Sequence, residues 1–261
     1  LKEYQDNFVQ NHIEDRYNNS MWIWRHPEPN KKYLLSADVA RGDGADFSAF
    51  HIIDLETLEQ VAEYKGKEDT TRYASILMSV ATEYNDALLV VENNNVGWAV
   101  LQSLIDRDYK NLFWMKKDLK YVDANRQHTN KYRNENKYMV PGFTTSMKSR
   151  PLIIDKLAQF IREKSIKINS IRLIEELFVF IFNNGKAEAL KGYNDDLVMS
   201  MAIGLWIRET ALKLHAENIA LQREAMKSVD ANSGVYKVEE EEDYGWKQHV
   251  GDKKESLTWL I

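Results

Sequence analysis

Residues 33–54, YLLSADVARGDGADFSAFHIID, carry an apolar strand into an acid, a glycine turn and a second strand. Tyr33, Leu34 and Leu35 read as a buried run that delivers Asp38 to its end. Gly42 and Gly44 accept a positive φ without steric cost, so Arg41 to Gly44 is a natural reversal between antiparallel strands. Phe47 to Ile53 supplies the returning β-branched and aromatic strand. A carboxylate at the end of so apolar a strand is costly unless it is paired, protonated or holding a cation. A turn or a salt bridge to Arg41 is one account of Asp38, and a cation is the other.

Two further stretches repeat the pattern of an apolar run with an acid at its boundary. Ala87 to Val91 is a short continuous apolar run, expected of a central strand covered on both faces, and it ends at Glu92. The polar turn Asn93-Asn94-Asn95 follows, and Val96 to Ile105 reads as a helix packed on the sheet. Much later, GYNDDLVMSMAI places Asp195 and Asp196 at the start of an apolar helix. One aspartate there is explained as an N-cap. Two in succession are not, since only one can cap.

Together SADVARGDGADFS, VVENNNVGWAV and GYNDDLVMSMAIG resemble the nuclease domain of the large terminase subunit of T4-like tailed phages, over roughly residues 33–210. The resemblance implies an α/β, RNase H-like (resolvase/integrase-like) fold, a mixed sheet flanked by helices with a β-hairpin excursion and a C-terminal helical tail. It implies an endonuclease that cuts concatemeric double-stranded DNA with little sequence specificity as genome packaging starts and ends. By the same likeness, Asp38 is the acid of the first strand, Glu92 that of the fourth, and Asp195 or Asp196 the late acid. The cofactor would be Mg²⁺ or Mn²⁺, two ions, with Asp38 between them. The implied partners are DNA, an N-terminal ATPase, the portal and the small terminase subunit, in the host cytoplasm and transiently at the portal vertex of the procapsid. No G-x-x-x-x-G-K-[ST] occurs in this chain, so it is read as a nuclease domain separated from its motor.

Composition is compatible with this. The 261 residues suffice for one large domain with appendages, and 44% hydrophobic content without an apolar run of membrane length predicts a soluble chain. The absence of cysteine excludes disulfides and thiolate ligands. A net charge of −5 runs against phosphate affinity, but acid is concentrated in Glu239 to Asp243 and at the presumed site. No His-x-x-x-His, EF-hand order or G-x-S-x-G is present.

Taken in order, residues 1–30, with Trp22 and Trp24 around Ile23, are read as an interdomain arm or a packing strand, residues 31–210 as the nuclease domain, and residues 211–261 as the tail. Thr57 to Tyr64 is expected as a half-buried edge strand, and Thr70 to Tyr84 as a helix with Tyr73, Leu77, Val80, Ala81 and Tyr84 on one face. Leu112 to Met115 is a fifth strand, opening a ribbon in which Lys116, Lys117, Lys120, Arg126, Lys131 and Arg133 are candidate DNA contacts. In the helix of residues 146–164, Leu152, Leu157, Phe160 and Ile161 read as core, Leu173 to Phe182 as buried, and Asn183-Asn184-Gly185 as a hairpin turn. Residues 229–261 show no sustained pattern, and their apolar end, Leu257 to Ile261, is a docking candidate.

Carboxylates gathered within about 4 Å repel by roughly 4 kcal/mol per pair at an effective dielectric near 20. A divalent cation relieves this and serves phosphodiester hydrolysis. The alternatives are a noncatalytic DNA-gripping or docking module of the motor, or a resolvase or RNase H-type nuclease. Asp43 and Asp46 are turn residues or outer contacts.

Overall fold

The computed structural model describes residues 1–42, 46–94, 96–116, 139–183, 186–208, 247–250 and 253–256. The chain divides into two compact units, Leu1–Lys213 and Leu214–Ile261.

The first unit is built on three consecutive antiparallel strands, β3 (Tyr33–Asp38), β4 (Ser48–Asp54) and β5 (Gln60–Gly66). Helix α2 (Thr70–Glu83) then crosses over to β6 (Leu88–Val91), which lies parallel to β3, and α3 (Gly97–Asp106) follows. Before them come α1 (Lys2–Asn7), β1 (Glu14–Arg16) and β2 (Met21–Ile23). The six-stranded sheet has the order β1-β2-β5-β4-β3-β6. The β3–β4 reversal holds Gly42 at φ +84, where an added Cβ would meet the Glu68 carbonyl oxygen at 2.5 Å. That is the left-handed conformation expected of it.

Side chains alternate across the sheet with period two. Tyr33, Leu35 and Ala37 therefore join the core beneath α2 and α3, and Leu34 joins the opposite core. The second core is covered by α4 (Ser149–Arg162), α5 (Ile171–Val179) and α6 (described over 196–208). Leu197, Val198, Met201, Ile203 and Leu205 of α6 are buried there, each contributing about 1.5–3 kcal/mol. Two ribbons complete the unit, β7 (Trp114–Lys116) with β8 (Met139–Pro141) and β9 (Phe180–Asn183) with β10 (Lys186–Ala189). Among the described residues no helix is long and apolar enough to cross a membrane.

Several expectations change. The third strand begins at Gln60, because the Asp54 carboxylate accepts the Glu56 and Thr57 amides at 2.9 and 3.2 Å and folds the intervening residues into a turn. It is no edge: β2 pairs along it, and Met21 and Ile23 are fully buried. Leu152 is 54% exposed because α4 presents it away from the core that takes Ile153, Leu157 and Phe160. The run Leu173 to Phe182 is part helix and part strand, and its Phe178 and Ile181 are exposed at 43% and 37%. In the second unit, β11 (Lys247–Val250) pairs antiparallel with β12 (Lys253–Ser256), inside a stretch that sequence periodicity leaves blank.

Candidate metal centre

Parallel pairing of β3 with β6 matches Ala37 to Val91, and the Glu92 amide donates to the Ala37 carbonyl at 2.9 Å. Asp38 and Glu92 therefore end the two central strands side by side. By alternation both face α6, since Leu34 and Val90, on the same side of their strands, belong to that core. Tyr73 of α2 pins the strand end from the other face, its hydroxyl donating to the Ala49 carbonyl at 2.9 Å and the Asp38 carbonyl at 3.2 Å.

Each acid is tethered by a nearby amide. The Val39 N–H donates to Asp38 Oδ1 at 2.8 Å, and Asn94 Nδ2 donates to Glu92 Oε1 at 2.9 Å and to the Thr145 carbonyl at 2.9 Å. Phe47 N–H and Asn194 Nδ2 both donate to Asp196 Oδ2, at 3.2 and 3.1 Å. Each of these amides thus holds one carboxylate oxygen, and Asp38 and Glu92 are also hydrogen-bonded side chain to side chain.

Asp38 keeps some contact with solvent. Even so, the protein packed around its carboxyl raises it well above the ordinary aspartate range, and the Glu92 and Asp196 charges push the same way. Asp196 is raised as well, chiefly by burial, against the lowering effect of its Phe47 and Asn194 bonds. Asp38, Glu92 and Asp196 are brought together. Asp195 is not presented in the same way: its Oδ2 is held by the Arg150 guanidinium. Arg41, the proposed partner of Asp38, is exposed and makes no ion pair with it.

Neither aspartate caps α6 with its side chain. Its Leu197 and Val198 amides are taken instead by Glu176 Oε2 of α5, at 2.9 and 3.2 Å. Glu176 Oε1 receives Lys65 Nζ at 2.5 Å. Burial pushes the Glu176 carboxyl up to about 7 against the pull of Lys65. On the same face, His51 Nε2 lies 3.0 Å from the Leu197 carbonyl and therefore carries the proton, while Nδ1 accepts from Gln60 Nε2 at 2.9 Å. Burial lowers this histidine, which stays neutral.

Among the described residues no group of three or more His, Cys, Asp or Glu side chains is gathered closely enough to hold a metal ion as it stands. The donor set nonetheless suits a hard divalent cation: it offers carboxylate oxygens alone, and burial together with the Glu92 and Asp196 charges holds Asp38 high where no cation offsets them. Asn94, Arg150, Glu176, Lys65 and Asn194 escaped the sequence reading; only Asn94, next but one to Glu92 in an asparagine run, left a local signal. Lys117, Lys120, Arg126, Lys131, Arg133, Asp43 and Leu257 to Ile261 lie outside the described residues, and Lys116 is described only as backbone in β7. Asp46 is exposed.

No protein-family model matches the chain. Among solved structures it is similar to the large terminase nuclease from thermophilic phage G20c with bound magnesium, with TM-score 0.57, 16% identity, and coverage of 77% of this chain and 94% of that one. It is similar also to the large terminase nuclease domain of Thermus phage P74-26, with TM-score 0.56, 17% identity, and coverage of 77% and 91%. The strand order, the parallel β3–β6 pair and this likeness together give the chain an RNase H-like fold, a six-stranded mixed sheet flanked by helices.

Proposed function

We propose that this chain is the metal-dependent endonuclease domain of a phage large terminase subunit, of the T4-like kind, cutting concatemeric double-stranded DNA with little base specificity. The observation that carries the reading is the convergence of Asp38, Glu92 and Asp196 from two parallel strand ends and a helix start. In this reading Asp38, Glu92 and Asp196 hold Mg²⁺ or Mn²⁺, as one or two ions, and Asp195, drawn off by Arg150, orients from outside. The bound cation supplies charge neutralisation and Lewis acidity at the phosphodiester. The protein's own part is to hold its carboxylates by the Val39, Phe47, Asn94 and Asn194 amides, so that little reorganisation is needed when DNA arrives.

Residues 31–210 would form the nuclease domain, residues 1–30 an arm towards an ATPase, and residues 211–261 a tail. The Lys116 to Arg133 stretch would follow the duplex backbone. The portal and small terminase subunit would be partners in the host cytoplasm. Supercoiled plasmid incubated with Mg²⁺ or Mn²⁺ tests the reading. Nicking is expected with the unmodified chain and not with a folded Asp38→Asn variant; cleavage retained by that variant overturns it.

A further inference from the structure

Resting on the reading of this site as a metal centre, we infer that Glu176 is a positioning residue for it: from α5 it caps α6 and so sets the direction of Asp196.

The first turn of a helix leaves amides without partners, and the residue at the N-cap ordinarily supplies the acceptor. Here the Asp195 carbonyl accepts the Met199 amide at 2.8 Å, which places Asp195 at the N-cap, but its carboxylate is turned to Arg150. The carboxylate of Asp196 is occupied by Phe47 and Asn194. Glu176, separated from Leu197 by 21 positions and only 7% exposed, takes the two orphan amides on one oxygen. The other oxygen is neutralised by Lys65, whose ammonium also stands 4.9 Å from the centre of the Phe47 ring.

A closed circuit results. Asp196 is bonded to the Phe47 amide, the Phe47 ring carries Lys65, Lys65 binds Glu176, and Glu176 holds the two amides that follow Asp196. Its consequence is a division of labour. A helix start that had to cap itself would spend an aspartate on its own amides and point that side chain back along the axis. With the cap supplied from α5, Asp195 at the N-cap is released to Arg150, and the fixed helix start keeps Asp196, its first helical residue, beside Asp38. Glu176 does not itself reach the cation, because both of its oxygens are already taken by donors. It belongs to the shell that orients a ligand, where loss of one partner costs about 10–100-fold in metal affinity.

The test is Mn²⁺ binding to the full chain, read by electron paramagnetic resonance of free Mn²⁺, for Glu176→Gln, Glu176→Ala and the reference Asp196→Asn. Hydrogen exchange of the 195–200 amides is measured alongside. Glu176→Gln keeps an acceptor for the Leu197 and Val198 amides, and its affinity is expected within about threefold of the unmodified chain. Glu176→Ala is expected to lose about tenfold and to exchange those amides faster. Glu176→Gln losing Mn²⁺ as completely as Asp196→Asn makes Glu176 a ligand and overturns the inference. So does Glu176→Ala that binds Mn²⁺ normally. Should Glu176→Ala not fold, Glu176→Gln with unchanged exchange and near-normal affinity still supports the inference. An unmodified chain that binds no Mn²⁺ overturns the metal-centre reading itself, and the inference with it.

Discussion

Asp195 and Asp196 are neighbours of identical chemistry, yet the fold gives them opposite surroundings. Asp196 is buried beside Asp38 and tethered by two amides, whereas Asp195 is paired with Arg150. Asp196→Asn should therefore weaken Mn²⁺ binding by more than about 100-fold, and Asp195→Asn by about tenfold, the range for a group that orients a ligand. Titration calorimetry on both variants checks this, and equal losses would refute the assignment. Sequence alone gave no means of separating the two, because both precede an apolar helix and both satisfy N-cap preference. What divides them comes from elsewhere, Arg150 at a separation of 45 residues and Glu176 from a different helix. The acids were legible because an ionisable group at the end of an apolar strand is conspicuous. Their supporting residues were not, since Lys65, Arg150 and Glu176 look like ordinary surface charges until the chain folds.

At the scale of elements, the join between β6 and α3 is the tightest in the site. Gly97 opens α3 with its amide 2.9 Å from the Asn94 carbonyl, and a Cβ there would stand 1.9 Å from the Glu92 carbonyl oxygen. That neighbour is backbone and has no rotamer to change. Gly97→Ala should cost about 3 kcal/mol, at the upper end of overpacking, and should weaken Mn²⁺ binding by displacing Glu92. Urea unfolding with a parallel Mn²⁺ titration measures both, and an alanine variant of normal stability would count against the geometry. The elements themselves were largely readable: β3, β4, β6, α2 and α3 follow from apolar periodicity and turn glycine. Misreadings came where a side chain or a second layer decided the outcome. Asp54 consumes the residues before β5 in a turn, β2 covers the strand read as an edge, and α4 turns Leu152 outward, beside the exposed Pro151, although the next residue, Ile153, is core.

For the molecule as a whole, the raised carboxyls set how stability depends on pH. Asp38, Asp196 and Glu176 all lie above their ordinary values, 3.8, 3.8 and 4.5, the last at about 7. Their folded forms bind protons that the unfolded chain has already released. Their contribution is fully present below those ordinary values and is lost as pH rises through the folded ones. His51 acts the other way: lowered from 6.5 by burial, it favours the fold above that pH and penalises it below. Asp54 and Glu59 are lowered, so they weaken the fold only on strong acidification. As pH rises from about 6.5 through about 7, where Glu176 loses its proton in the fold, the raised acids outweigh His51, and the melting temperature of chelator-treated protein should fall. Mn²⁺ should reverse that fall, by about 2.7 kcal/mol at a hundredfold excess over Kd, or about 5–10 °C for a unit of this size. Because protons compete with the cation for the same oxygens, the Mn²⁺-induced rise should grow with pH across this window. Asp38→Asn removes one of the raised acids of the centre, so it should reduce the pH slope and abolish most of the Mn²⁺ response together. A variant that kept both would place the source of the slope outside this centre.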